Sequence, residues 1–454
     1  MSFKFKEIDR HTPYLFPPSV EEWLPQEHQA RFILDIIGQL DLSAITTSYS
    51  GRGKQAYHPE VLLALLFYGY ANGVFSSRKL EQATYDSVAF RFITANQQPD
   101  HDTIAHFRKR FLGELEALFV QVLVIAKEMH CLTLGTVSLD GTKIKANASK
   151  HKALSWGYAN KLEEQLRAEI KQLLAQADAI DAQEDAQYDD NIPDELCRRE
   201  DRLKAIAKAK KAIEQRAQDR LEDEQAAHQE KLKQREESEK KRGRKHGGRP
   251  PAAPVLKAPK DSDQTNLSDE QSRIMPSHNG FVQAYNAQAA VDLDTHLVLE
   301  NHVTQSTNDM GEILPALKKL GALDKALGSI DGLLADTGYC SEKNVEACED
   351  ATITPYIASH RQPHNQALED RRREPLPCPE GADAMTSMKY RLQTVEGKAL
   401  YAKRKSTVET VLGVIKQAMG FRQFLLRGHE SVTGEWNLVC LAWNLKRLHR
   451  LQAL

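Results

Sequence analysis

The sequence predicts a mixed α/β protein in which a sheet domain follows an all-helical N-terminal span and is interrupted by a charged helical hairpin. Three observations point there. From Val20 to about Leu112 the apolar residues recur at helical spacing. At Gly135 the pattern changes to strand-like alternation, and strands and helices resume after residue 275. Between 151 and 275 aromatic residues nearly vanish while Glu, Lys, Gln, Arg and Ala dominate.

Residues 1–20 are polar and contain prolines, an irregular lead-in. In the helical span Phe32, Ile33, Ile36 and Ile37 share one face, and a second helix follows His58–Pro59 with Val61, Leu62, Leu65 and Leu66 inward. Phe67, Tyr68 and Tyr70 read as core in that helix. A third helix covers Ser77–Phe92. A fourth follows PDHDTIAHFRKRF, where Asp102 is placed to cap the first turn and Arg108, Lys109 and Arg110 form a basic cluster. That cluster is a candidate phosphate contact or a solvated face.

GTVSLDGTKI reads as a strand ending at Asp140. In the charged span, Leu162, Leu166, Ile170 and Leu173 mark one amphipathic helix, and Leu203, Ile206, Ile213 and Ala217 begin a long one reaching about Lys241. The acidic stretch Asp178–Glu195 separates them, so an antiparallel coiled-coil hairpin is expected. KKRGRKHGGRPPAAP closes the span as a basic Gly/Pro-rich linker, readable also as a minor-groove arm. GFVQAYNAQAAVD and THLVLENHVT then form a strand hairpin, with Asn286 and Gln288 on one face as candidate supports for a site. A helix (Met310–Leu320), a strand ending at Asp336, a short helix (Ser341–Cys348) and the strand TITPYIA come next. Residues 360–390 read as a Pro- and Arg-rich loop, and helices cover about Lys398–Met419 and Thr433–Leu451. The implied domains are 1–130 (helical), 131–150 with 276–430 (sheet domain), 151–275 (inserted hairpin) and 431–454 (C-terminal helix).

A chain of 454 residues exceeds one ordinary core. Its formal charge of −2, from 61 basic and 63 acidic side chains, signals no polyanion partner by itself. The six cysteines form no CxxC pair and lie near no histidines at zinc spacing, so they read as free thiols of a reducing compartment. His278, His296 and His302 also lack ligand spacing. The N-terminus has no apolar signal core and no apolar run approaches the roughly 20 residues of a membrane span, so a cytoplasmic protein without a membrane partner is expected.

Asp140 and Asp336 each follow a strand and precede a turn pair, Gly141–Thr142 and Thr337–Gly338. On neighbouring strands their carboxylates project into one crevice. Two adjacent carboxylates stay ionised most readily around a cation, and a hard, oxygen-preferring ion such as magnesium suits them. The other reading is a pair of ordinary turn residues. In YAKRKSTVETVLGVIK, Val408, Val411, Leu412, Ile415 and Met419 form a packing stripe with Glu409 at its border. Glu409, flanked by Lys405 and Lys416, suits a metal site beside phosphates, or a solvated i,i+4 pair with Lys405.

Several motifs in one order, LFPPSVEEWLP, YHPEVLLALLFYGYANGVFSSRKLE, PDHDTIAHFRKRF, SLDGTKIKANAS, GFVQAYNAQAAVD, LLADTGYCSEKN and VETVLGVIKQAMGFRQFLLRG, run nearly the length of the chain. Through them it resembles bacterial insertion-sequence transposases of the DDE class, in the branch with a Tyr–Arg–Glu–Lys signature (the IS5- and IS1182-like groups). Here that signature is Tyr401, Arg404, Glu409 and Lys416, with four residues between Arg404 and Glu409 where the usual signature has three. The resemblance implies an RNase H-like core in which Asp140, Asp336 and Glu409 are catalytic and bind two divalent ions, Mg²⁺ or Mn²⁺. It implies that Tyr401, Arg404 and Lys416 contact DNA phosphates or support the metal site, with Lys405 beside them a further DNA-facing lysine, and that the N-terminal helices bind element-end DNA. Element ends and target DNA are the implied double-stranded partners, held by a homodimer or larger assembly in a nucleoid-associated bacterial protein. Two rivals are a catalytically inactive DNA-binding relative and a metal-dependent nuclease without strand transfer.

Overall fold

A computed structural model of the protein describes residues 19–49, 55–181, 191–242, 251–255, 259–277, 280–360 and 373–452. Most of the expected lead-in, the core of the basic linker (243–250) and residues 361–372 of the expected loop lie outside the described residues. The chain divides into two compact units, Met1–Ile144 with Asn286–Leu454, and Lys145–Tyr285.

The first unit begins with helices α1 (Gln29–Ile37), α2 (Ser43–Thr46), α3 (Pro59–Ala71), α4 (Ser77–Asp86), α5 (Val88–Ile93), α6 (His101–Arg110) and α7 (Glu114–Glu128). Pro59 sits in the first turn of α3, where its missing N–H leaves no bond unmade. Phe67, Tyr68 and Tyr70 are buried as expected. Two local readings change. The single helix expected over Ser77–Phe92 breaks at Ser87, whose extended backbone separates α4 from α5. The cap of α6 is Asp100, which accepts from Thr103 N at 2.9 Å, and Asp102 falls inside the first turn.

The sheet is built on β1 (Thr136–Lys145), β5 (Gly280–Asp292), β6 (Val298–Thr304), β7 (Gly332–Ala335) and β8 (Thr354–Ile357), in the order β6-β5-β1-β7-β8. It is mixed. β7 runs parallel to β1 and to β8, whereas β6 is antiparallel to β5. β5 is antiparallel to β1, since Leu293 N donates to Thr136 O at one end and Ala146 N to Gln283 O at the other. Buried Val137, Leu139, Leu333 and Leu334 form the sheet's centre. Between β6 and β8 lie α10 (Ile313–Leu327) and α11 (Glu342–Asp350). The entrance to α10 is tied to β6 through His302, whose ring nitrogens lie 2.8 Å from Glu300 Oε1 and 3.1 Å from Glu312 Oε2.

After β8 come α12 (Ala384–Gln393), α13 (Val395–Ser406), α14 (Val408–Gln417) and α15 (His429–Gln452). Helix α12 falls partly within the span expected to be loop. α15 is buried along most of its length and packs on β6, α3 and α7, which is why the last helix carries Trp436, Leu438, Val439, Leu441 and Leu445 in succession. Trp436 Nε1 donates to Gln288 O at 2.9 Å and so fixes the middle of β5.

The second unit holds α8 (Trp156–Asp181) and α9 (Asn191–Arg242), which pack together beside a two-stranded sheet of β2 (Ala153–Ser155) and β3 (Gln264–Asn266). Leu154, Ala159, Leu162, Leu166, Ile206 and Ala209 form its core. Arg199–Glu169 (3.0 Å) and Lys210–Glu163 (2.7 Å) link the two helices in antiparallel order. Pro193 is accommodated in the first turn of α9. β4 (Arg273–Ser277) pairs with the first half of β5.

Candidate active site

Strand register brings the two aspartates together. Ser138 on β1 pairs with Leu334 on the parallel strand β7, and two residues further along each chain stand Asp140 and Asp336. The register thus brings Asp140, still within β1, close to Asp336, just past the end of β7, and the Asp336 charge acts on Asp140. One expectation needs correction: β1 continues through Asp140 to Lys145, so Asp140 is a mid-strand residue. Asp336 does follow the end of β7 and caps the short helical turn Thr337–Tyr339, its Oδ1 accepting from Gly338 N at 2.8 Å.

The helical residues arrive through a break. The sequence suggests one helix over 398–419, but Thr407, with φ −101° and ψ −93°, separates α13 from α14. Arg404 Nη1 lies 3.1 Å from Asp140 Oδ2, and its Nη2 lies 2.6 Å from Glu409 Oε1. The Tyr401 side chain lies near enough to Arg404 for the guanidinium charge to act on its hydroxyl. One planar group thus gathers residues from β1, α13 and α14 that lie as far as 264 positions apart in sequence. Lys416 Nζ donates to Thr142 Oγ1 at 2.9 Å, which sets it one β-strand repeat beyond Asp140. Lys405 is exposed, and Glu409 pairs with Arg404, so the expected Lys405–Glu409 pair is replaced.

The electrostatics are those of crowded carboxylates. Burial pushes Asp140 up to about 7; Arg404 and the Gly141 N–H oppose this, while Asp336 and Glu409 add to it. Burial works to lower Arg404, but Asp140, Tyr401, Glu409 and Asp336 leave it above its ordinary value. Burial lowers Lys416 and raises Tyr401. Such a set favours a cation, and its hard oxygen donors suit a magnesium-class ion. The Arg404 guanidinium is the positive charge now between Asp140 and Glu409. Among the described residues no three His, Cys, Asp or Glu side chains lie close enough together to hold an ion jointly.

The basic cluster of α6 separates. Arg108 is buried, with Nη1 donating to the Tyr70 hydroxyl at 2.9 Å and to Phe75 O at 3.0 Å, which corrects its expected role as a DNA contact. Lys109 and Arg110 are exposed, the latter bonded to Ser48 O at 2.8 Å and lying over Tyr49.

One acidic neighbour was not anticipated. Asp309 Oδ1 accepts from Asn286 Nδ2 and from Gln288 Nε2, both at 2.7 Å. The Gln288 carbonyl oxygen in turn accepts from the Tyr339 hydroxyl. The sequence pattern starts this helix at Met310 and gives Asp309 no role. The observed α10 begins at Ile313 and leaves Asp309 in the approach loop, a difference no periodicity signals.

A mixed sheet that brings Asp140 near Asp336, with Glu409 joined to Asp140 through Arg404, defines an α/β protein with a crowded carboxylate site. Residues 18–110 match the family described as "Transposase domain (DUF772)", and residues 253–445 match the "Transposase DDE domain". Together these matches indicate an insertion-sequence transposase, an enzyme acting on DNA. No curated protein and no solved structure matches the chain. Among the described residues no helix is long and apolar enough to cross a membrane.

Proposed function

We propose that the protein cleaves DNA at the ends of an insertion element and joins the released 3′ ends to target DNA, using an RNase H-like core with Asp140, Asp336 and Glu409 as its carboxylates. The observation that carries this is the convergence of Asp140 with Asp336 by strand register and with Glu409 through Arg404. Asp140, Asp336 and Glu409 would hold divalent ions, which when bound supply Lewis acidity to the phosphodiester and its attacking oxygen. The chain's own part is orientation. Arg404 aligns Asp140 with Glu409 and buttresses Tyr401. Lys416, fixed against Thr142, offers a cation to a phosphate next to the carboxylates. Lys405, Lys109 and Arg110 meet the DNA backbone from exposed positions, where charge contributes to affinity rather than to sequence choice.

In this reading the N-terminal helices (1–130) bind the element ends and the inserted hairpin (151–275) helps join protomers, since two ends must be held together. Incubation with Mg²⁺ and an end-labelled element tests it. Joined products carrying the marked ends support transposition. Nicks without joining would leave a nuclease, and binding without cleavage would leave an inactive relative.

A further inference from the structure

Asp309 stands between Gly141, which follows Asp140 in β1, and Gly338, in the turn that Asp336 caps. Its Oδ1 is held by the amides of Asn286 and Gln288, neighbours on one face of β5. This cluster rests directly on Gly141, the residue after Asp140. A Cβ at Gly141 would overlap Gln288 Nε2 and come within 2.7 Å of Asp309 Oδ1 and 2.9 Å of Asn286 Oδ1. The glycine is therefore required for close approach, not for its backbone angles. On the other side, a Cβ at Gly338 would lie 3.0 Å from Asp336 Oδ1 and 3.7 Å from Asp309 Oδ2. Oδ2 has no hydrogen-bond partner among the described residues, so Asp309 presents one satisfied and one open oxygen.

The anchors behind this cluster are firm. Gln288 is fully buried, its carbonyl backbone held by Trp436 and its side-chain oxygen by Tyr339, which lies in the turn that Asp336 caps. The backbone of Asp309 is bonded as well, its carbonyl accepting from Glu312 N at 3.1 Å. A continuous path thus runs from Gly141, beside Asp140 in β1, through Asn286, Asp309 and Gln288 to the Asp336 turn.

We infer that Asp309 is a positioning residue that sets the separation of Asp140 and Asp336, and with it the affinity of the pair for a divalent cation. This rests on the proposed role of those two aspartates. An amide at 309 can keep its oxygen toward Asn286 and Gln288 and turn its NH2 to the open side, whereas alanine removes the acceptor that those two side chains share. The cluster must then rearrange against Gly141, because buried donors left unpaired are costly.

The test compares wild type with Asp309→Ala in two measurements. Mn²⁺ binding is followed by calorimetry on the DNA-free protein, and the Mg²⁺ concentration for half-maximal cleavage is read on element-end DNA. Melting temperature and DNA affinity serve as controls. The expected result is a cation affinity about tenfold weaker in both, with DNA affinity unchanged and with Asp309→Asn, which keeps the shared acceptor, closer to wild type than Asp309→Ala. If Asp309→Ala does not fold, Asn286→Ala, which removes one of the two donors, carries the test with a smaller shift in the same direction. Unchanged cation affinity in a folded alanine variant overturns the inference, as does a loss explained wholly by lowered melting temperature. Failure of the wild type itself to bind Mn²⁺ or to cleave would instead sink the proposed function.

Discussion

Two arginines of the first unit are buried against carboxylates, and they do opposite things. Arg108 donates to Tyr70, whose hydroxyl donates in turn to Glu435 Oε1 at 3.4 Å, and Glu435 Oε2 accepts from Leu425 N and Leu426 N at 3.0 Å each. Every carboxylate oxygen in that chain has a protein donor, and Glu435 is fully buried. Arg404 also bridges acidic groups, yet the Glu409 side chain remains 43% exposed and Asp140 is raised to about 7 by burial and like charges. The difference teaches that residue type does not separate scaffold from site. What separates them is whether the lone pairs are satisfied by the fold or left facing an approachable crevice.

The largest expected effect sharpens the open side of this comparison. Asp336→Asn should lower Mg²⁺-dependent cleavage of element-end DNA by roughly two orders of magnitude or more, because the charge lost is one that stabilises the transition state. Melting temperature should barely move. A cleavage rate close to that of wild type would place the chemistry elsewhere.

On the closed side, Arg108→Ala should cost about 3 kcal/mol of folding stability, since it strips a buried network of its cation. Urea denaturation measures this, and DNA affinity per folded molecule should be unchanged. A stable variant with weakened DNA binding would return Arg108 to the DNA-facing set.

Arg404→Ala should invert that pattern. Cleavage should fall about tenfold from lost orientation of Asp140 and Glu409. The stability loss should be smaller than for Arg108→Ala, because water reaches Glu409 and Asp140 can take up a proton. Equal destabilisation in the two variants would erase the distinction drawn between them.

The smallest effect concerns the His302 tie. Burial acts to lower this imidazole, but the hydrogen bonds and charges of Glu300 and Glu312 raise it to about 9. A group raised on folding contributes stability that is complete below its unfolded value, about 6.5, and lost as pH climbs through the folded value. Wild type should therefore soften between about pH 6.5 and 9, and His302→Gln should lack that slope in thermal melts. Parallel melting curves for the two proteins across this range would count against the charged tie.

Much of the fold was legible because it rests on short-range pattern. GFVQAYNAQAAVD coincides with β5, and α3 begins at Pro59 as its dipeptide signal indicates. The antiparallel α8–α9 pair follows from leucines and isoleucines at helical spacing. Boundaries were less legible where side-chain pattern runs on across a backbone change, as at Ser87 and Thr407. Arg108 was misjudged for a related reason: a run of three basic residues on a helix looks uniform until packing decides which of them faces inward.

The sequence alone determined the alternation of strands and helices, the charged insertion between β1 and β5, and the three acids in order. Those depend on residue type and local spacing. Tertiary structure decided what no local rule contains: the parallel register that brings Asp140 near Asp336, the break that swings Arg404 onto Glu409, and the seat of Asp309 over Gly141. Each is a contact between segments distant in the chain, set by how the whole core packs, and such contacts leave no periodic trace in the order of residues.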